Sequence, residues 1–361
     1  MIRTLSMSTE SKIAFISVTK NGRDLSINIK NLLGEGDIYV TEKLFEKIDL
    51  TNNDLYVIEG SLSSFTSKLF ERYEVLIFIM ATGIVVRSIS SHIKNKLEDP
   101  AILVIDEKGK NVISLLSGHI GGANEMTNYI SSLIDANPVI TTATDVNNKS
   151  SLDMIAKNLN AHIDNFRENV KDINYLLVND GNIGIYIDGD YKVDTRGFTT
   201  IKNINEFHRI NNLDKIIYIT NKDATDINDK RIIKVIPKDI VIGIGCRRNT
   251  SYEDIKNSLE DLLNKYNLSK NSIKEIGSVE IKKDEEGIIE LAKNLKVPFK
   301  TVSIEKIQEV EDKFEKSEFV KKNIGVYCVA EPVAYILSNE NLIVKKHKYK
   351  GITFSIGRLK I

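Results

Sequence analysis

His119 lies in LLSGHIGGAN, Leu115 to Asn124, where glycines and other small residues follow directly on an apolar run of buried type. Glycine permits close approach of a ligand to the main chain. A helix starting beyond Gly122 would favour a carboxylate or phosphate at its N-terminus. Ser117, Gly118, Gly121, Gly122 and Asn124 are therefore candidate substrate contacts and His119 a candidate general base. The alternative is a tight strand-to-helix turn with an incidental histidine. ITTATD, Ile140 to Asp145, offers three hydroxyls, Thr142 among them, and one carboxylate. Asp145 is a base or a helix cap. MATGIVVR puts Thr82 and Gly83 at the end of the apolar run VLIFIM, with Arg87 beyond them as a planar fork for a carboxylate or as a solvated helix residue.

In the last third of the chain, IGIGCRR spaces Gly243 and Gly245 as G-x-G ahead of Cys246, Arg247 and Arg248. Arginine at 248 stands where the dinucleotide fingerprint needs its third glycine, which disfavours a nucleotide site. Two arginines on a strand-to-helix loop suit a substrate with several carboxylates. Cys246 beside cations and a helix start would have a lowered thiol pKa, but with no histidine nearby in sequence a packing role is the simpler reading. In SVEIKKDEEG, Ser278 to Gly287, Glu280 and Asp284 are the preferred acid–base groups and Lys282 a substrate contact; the remaining charges suit a surface or a helix N-terminus. In VAEPVA, Pro332 reads as the first helical residue, leaving Glu331 at or beside the cap, structural or catalytic. The basic run from Lys345 to Lys350 is a solvated edge or a counter-charge for an anionic ligand.

The elements that must hold these residues alternate between strand and helix. KIAFISV, VLIFIM and AILVI are continuous apolar runs, as in a parallel sheet covered on both faces. Asp106 to Gly109 suits a hairpin between AILVI and VISLL at one sheet edge. Helices are expected over Gly22 to Leu33, Ser61 to Tyr73 and Asn124 to Leu133, and a strand over Pro138 to Thr142. The stretch from Thr144 to Lys238 is rich in Asn, Asp and Lys, with a helix over Leu152 to Leu159 and short strands near Tyr175 to Val178, Ile183 to Ile187 and Ile216 to Ile219. After Pro237 a second α/β unit begins at IVIGIG, with Thr250 and Glu253 in capping-box spacing. Strands at Val326 to Val329, Leu342 to Val344 and Gly351 to Ile356, and helices at Glu286 to Leu295 and Pro332 to Leu337, complete it. The fold class is α/β: two α/β domains with mainly parallel sheets, 1–143 and 238–361, flank a smaller middle α/β domain, 144–237.

A chain of 361 residues suits two or three domains. Its 50 basic and 50 acidic residues give no global field for nucleic acid or anionic lipid. No apolar stretch approaches the roughly 20 residues of a membrane helix. Two cysteines, Cys246 and Cys328, without C-x-x-C spacing suit neither a disulfide framework nor a structural zinc site, and no metal site is read. The start, Met1-Ile2-Arg3-Thr4, does not read as an export signal, so a cytoplasmic location is expected.

MATGIVVR, DPAILVID, LLSGHIGGAN and ITTATD, followed by GIGCRR, SVEIKKDEEG and VAEP, together resemble the cobalt-precorrin-5A hydrolase family over nearly the whole chain. GIGCRR and the Glu331 region also match a C-terminal domain shared with a related cobalamin-biosynthesis family. Residues 150–235 carry no motif that can be placed, and Asn249 stands where the pattern has glycine. The resemblance implies an enzyme of the anaerobic, early-cobalt route to vitamin B12. Its substrate would be a cobalt-bound, ring-contracted tetrapyrrole with a lactone between the ring A acetate and the extruded carbon. Hydrolysis would release that carbon with its methyl group as acetaldehyde and give cobalt-precorrin-5B. Cobalt would belong to the substrate, and no other cofactor is implied.

Acetate and propionate arms call for local cations, which Arg87, Arg247 and Arg248 supply. The expected base is His119 or one of Asp145, Glu280 and Glu331, with N–H groups of Gly118 to Gly122 stabilising the oxyanion. No Ser-His-Asp or H-E-x-x-H pattern appears, so direct attack of water is preferred. Gly245, Cys246 and Lys282 join the expected substrate contacts, and a cleft between the terminal domains is the expected place for a flat ligand. Transient contact with neighbouring pathway enzymes is a further expectation, and the oligomeric state is left open. The rivals are a non-catalytic corrinoid carrier and a nucleotide-dependent α/β enzyme.

Overall fold

A computed structural model describes residues 11–45, 55–95, 98–205, 210, 212–224 and 229–361, so Met1 to Thr4 lie outside the described residues. The chain separates into two compact units, 1–148 and 149–361.

In the first unit β1 (Ile13–Ser17), β2 (Asp37–Val40), β3 (Leu55–Val57), β4 (Val75–Ile79), β5 (Ala101–Ile105), β6 (Asn111–Leu116) and β7 (Asn137–Val139) form one sheet in the order β3-β2-β1-β4-β5-β6-β7. The period of two along each strand divides its apolar residues between two cores. Phe15, Ile77 and Leu103 pack on one face under the helices Lys20–Leu33 and Ala123–Ile134. Ile16, Phe78 and Val104 pack on the other under the helices Leu62–Arg72 and Thr82–Ile89. Burial on both faces is why these strands read as unbroken apolar runs. β1 to β5 are parallel, whereas β6 runs antiparallel to β5 and β7 parallel to β6. The turn at Asp106 to Gly109 makes this reversal: Asp106 accepts backbone N–H bonds from Lys108 and Asn111 at 3.0 and 2.7 Å.

The second unit holds two sheets. β8 (Ile183–Ile187), β9 (Thr199–Thr200), β10 (Lys215–Ile219) and β11 (Ile232–Val235) are parallel in the order β11-β10-β8-β9. β12 (Ile240–Cys246), β13 (Ile273–Val279), β14 (Phe299–Val302), β15 (Leu342–Tyr349) and β16 (Ile352–Arg358) take the order β14-β13-β12-β16-β15, with β16 antiparallel to both neighbours. Asp239, fully buried just before β12, ties the two sheets together. It accepts from Tyr191 Oη at 2.8 Å, Arg358 Nε at 2.6 Å and Asn221 Nδ2 at 3.3 Å.

Several elements differ from the sequence reading. Tyr175 to Val178 is the end of the helix Phe166–Val178, which buries Val170, Ile173 and Leu177 at helical spacing. Val326, Cys328 and Val329 are buried, but the segment joins no sheet. The helix near Thr250 is capped instead by Ser251, whose hydroxyl accepts the Asp254 N–H at 3.1 Å. The helix Ala330–Leu337 starts before Pro332, which takes its third position; a missing N–H is equally harmless there because the first-turn donors have no intrahelical partner. β2 was not anticipated at all.

Candidate active site

The loop between β6 and the helix Ala123–Ile134 is built by close approach. A side chain at Gly118 would meet Asn124 Oδ1 at 2.7 Å, and one at Gly121 would meet the Ser117 carbonyl oxygen at 2.7 Å. Ser117 itself takes φ 57, and Gly122 caps the helix at φ 88. This compact turn presents His119 towards the short helix Ala143–Val146 that follows β7. His119 Nε2 lies 2.8 Å from Asp145 Oδ2 and 3.0 Å from Thr144 Oγ1. Asp145 is the third residue of that helix, not its cap, so its carboxylate serves the imidazole. Behind the pair, buried Asn124 donates Nδ2 to Asp145 Oδ2 and Thr142 Oγ1, both at 3.0 Å, and accepts from Ser114 Oγ at 2.6 Å.

A histidine held by a carboxylate can take a proton from water and be stabilised once charged. Thr144 and Ser114 belong to this constellation although neither was singled out in the sequence. Thr144 was visible only as one of three hydroxyls, and Ser114 sits inside a strand of buried type, where nothing marks it.

The sheet parts these residues from Thr82, Gly83 and Arg87. Because β6 reverses direction, Leu116 pairs with Ile102 near the start of β5, and Ala101 pairs with Val75 at the start of β4. Thr82 follows the opposite end of β4, so a strand of about 16 Å lies between the two loops. Arg87 is exposed on its helix with the guanidinium folded back alongside Gly83. The arginine and the histidine therefore belong to different ends of one sheet.

The second unit carries its own cleft, of about 680 Å³, at the carboxyl ends of β12 and β13 and beside the β15–β16 hairpin. Ile281, Phe319, Val320, Ile324, Tyr327 and Val329 give it an apolar wall. Arg247, Arg248, Lys282, Lys346 and Lys348 supply positive charge. Arg247 is exposed and lies over Gly351, whose carbonyl accepts its backbone N–H at 3.0 Å. Arg248 is engaged by Asp284 at 2.6 Å, which holds that carboxyl below the usual range. Buried Lys282 is bound to buried Glu285 at 2.8 Å. Lys346 and Lys348 lie 2.7 and 3.8 Å from Glu315, and the Lys346 ammonium holds the Glu315 carboxyl low. Of the basic run, Lys346 and Lys348 line the cleft, and Lys345, His347 and Lys350 are not among its lining residues.

Other candidates take structural places. Glu280 accepts the backbone N–H of Ile304 at 2.9 Å and so anchors the turn after β14. Glu331 is buried; one oxygen accepts the Lys346 N–H at 3.1 Å, and the other has no hydrogen-bond partner among the described residues. Gly243 is required by packing, since a Cβ there would lie 2.1 Å from the Ala330 carbonyl oxygen. Gly245 and Cys246 line the cleft. Burial pushes the Cys246 thiol up despite the opposing charges of Lys282 and Arg248, whereas its place beside cations and a helix start had suggested a lowered thiol. Burial and nearby Glu331 push Cys328 up to about 12. Asn249 takes φ 59, a left-handed conformation that asparagine tolerates almost as glycine does. Among the described residues, no group of three or more His, Cys, Asp or Glu is placed to hold a metal ion.

Known proteins match this sequence over most of its length. Three family models follow one another: "Cobalamin synthesis G N-terminal" over 64–145, "Cobalamin biosynthesis central region" over 150–235 and "Cobalamin synthesis G C-terminus" over 240–357. The chain is 37% identical over 350 residues to the cobalt-precorrin-5A hydrolase of Salmonella typhimurium, covering 96% of this chain and 97% of the relative. It is 32% identical over 358 residues to that of Priestia megaterium, covering 95% and 94%. The chain belongs to the cobalt-precorrin-5A hydrolase family. Membership extends through residues 150–235, where the sequence offered no motif. Among solved structures, a cobalamin biosynthesis protein G homolog from Sulfolobus solfataricus is 25% identical, with 96% of this chain and 97% of that chain covered and a TM-score of 0.41. No helix among the described residues of this family member is long and apolar enough to cross a membrane.

Proposed function

We propose that the chain hydrolyses cobalt-precorrin-5A in the anaerobic route to cobalamin, giving cobalt-precorrin-5B and acetaldehyde. The observation that carries this reading is the 37% identity, over 96% of the chain, to a relative named for that reaction. The geometry supports it with a histidine–carboxylate pair suited to activating water and with a cleft that combines an apolar wall and cations. A tetrapyrrole has the matching chemistry, an apolar ring plane with carboxylate arms.

In the proposed reaction His119 takes a proton from water as the oxygen attacks the lactone carbonyl. The acyl carbon–oxygen bond breaks, leaving the ring A acetate as a carboxylate and a hydroxyl on the extruded carbon. Loss of the hydroxyl proton then turns that C–O bond into an aldehyde. The electrons of the carbon–carbon bond remain with the macrocycle, which takes up a proton. Asp145 holds the imidazole and offsets its charge, and backbone N–H groups of the Gly118 to Gly122 loop receive the oxyanion. Exposed Arg247 and Lys348 hold carboxylate arms. Cobalt enters and leaves with the substrate.

Anaerobic incubation with cobalt-precorrin-5A, followed by an aldehyde-coupled assay and mass spectrometry of the macrocycle, tests the reading. Repeated turnover with aldehyde release is expected. Stoichiometric binding without aldehyde would replace the hydrolase by a corrinoid carrier, and absence of both signals would remove the substrate assignment.

A further inference from the structure

We infer that Asn124 is a positioning residue, which fixes Asp145 so that His119 is held in a single tautomer. This deepens the assignment of His119 as base and rests on it only for the effect on turnover. The sequence suggests a substrate contact at 124, but the side chain is 6% exposed and both ends of its amide are engaged within the protein.

The chemistry of the partners fixes the amide's orientation. An ionised carboxylate only accepts, so the amide atom 3.0 Å from Asp145 Oδ2 must be the NH₂ group. The carbonyl oxygen then receives the Ser114 hydroxyl at 2.6 Å, and the second amide hydrogen reaches Thr142 Oγ1 at 3.0 Å. Three segments are thereby joined: β6 through Ser114, the first turn of the helix Ala123–Ile134 through Asn124, and the Thr142–Asp145 segment. Gly118 is part of the same device, because only a residue without Cβ leaves room for Asn124 Oδ1.

The consequence reaches the imidazole. Asp145 Oδ2 accepts from Asn124 on one side and meets His119 Nε2 at 2.8 Å on the other. An acceptor at that place puts the hydrogen of neutral His119 on Nε2, with Thr144 Oγ1 at 3.0 Å beside it. Without Asn124, Asp145 loses the donor that aims it, and the tautomer is no longer enforced.

The test is heteronuclear NMR of the His119 ring nitrogens in the full chain, with the signal identified by its loss in His119→Ala, alongside steady-state kinetics. Wild type is expected to show the Nε2–H form of the neutral ring. Asn124→Leu, with the same branching and number of heavy atoms but without donors, is expected to give a mixture of tautomers. Its kcat should fall roughly 10- to 100-fold, by analogy with the loss of hydrogen-bond partners that orient metal-bound imidazoles, with KM changed less than about 2-fold. Should that variant not fold, Ser114→Ala removes only the bond to Asn124 Oδ1 and should move the ring signals in the same direction by less. Unchanged tautomer signals in a folded Asn124→Leu, or in Ser114→Ala where Asn124→Leu does not fold, would overturn the positioning role. A tautomer shift with kcat unaltered in both Asn124→Leu and His119→Ala would leave the positioning intact and remove His119 as base.

Discussion

His119 Nε2 and Asp145 Oδ2 are 2.8 Å apart across 26 positions of sequence, joined by the loops that follow two neighbouring parallel strands. The contact depends on β6 and β7 running parallel to each other, which brings their carboxyl ends to the same side. A base and its orienting carboxylate thus come from separate loops, and neither is useful without the other.

Replacing His119 by alanine should therefore lower kcat by roughly 10²- to 10⁴-fold, the usual contribution of a positioned base, with little change in substrate affinity. Single-turnover rates and equilibrium binding separate the two effects. A large loss of binding with an unchanged single-turnover rate would refute the role.

The cleft cations should not be equivalent. Arg247 is exposed, whereas Arg248 is engaged by Asp284 at 2.6 Å and has Glu285 at 3.5 Å. Arg247→Ala should raise KM about 10-fold or more, as expected for loss of a charge-assisted pair of roughly 1.5–3 kcal/mol, and Arg248→Ala should raise it less. Equal effects would mean that ligand binding breaks the Arg248–Asp284 pair.

Neither thiol should behave as a nucleophile. With Cys328 pushed up to about 12, only about one molecule in 10⁴ carries its thiolate at pH near 8, and burial pushes Cys246 in the same direction. Alkylation of the native chain should be slow beside that of the unfolded chain, and Cys246→Ser should retain turnover. Rapid labelling at Cys246 with loss of activity would contradict this.

Asp239 should be a stability residue. Removing it leaves the Arg358 guanidinium, the Tyr191 hydroxyl and the Asn221 amide without their common acceptor. Asp239→Ala should cost about 3–5 kcal/mol, as for one partner of a buried pair. Urea unfolding measures this, and a midpoint within error of wild type would show that the two sheets of the second unit are held otherwise.

Much of the fold was legible because parallel strands buried on both faces are unbroken apolar runs, as VLIFI and IVIGIG are. YLLV was misread because a short apolar run does not distinguish a strand from one turn of a buried helix. The helix Glu318–Ile324 gave no signal: it has only seven residues, its Phe319 is 73% exposed, and Val320 and Ile324 are only partly buried between the cleft and a small core cluster. At the site, composition marked the His119 loop and Asp145 but could not pair them. The opposite placement of Arg87 follows from strand direction, a property of the sheet and not of any one segment. Asn124 looked like a ligand contact because its partners Ser114 and Thr142 are distant in sequence.

The central claim is attack of water, activated by His119, on the lactone carbonyl. Its most direct test is single turnover of cobalt-precorrin-5A in heavy-oxygen water, with mass spectrometry of the isolated macrocycle. The account predicts one heavy oxygen in the ring A acetate carboxylate of the product, formed by wild type and lost at matched times with His119→Ala. An unlabelled carboxylate, or labelled product formed equally fast by the variant, would contradict it.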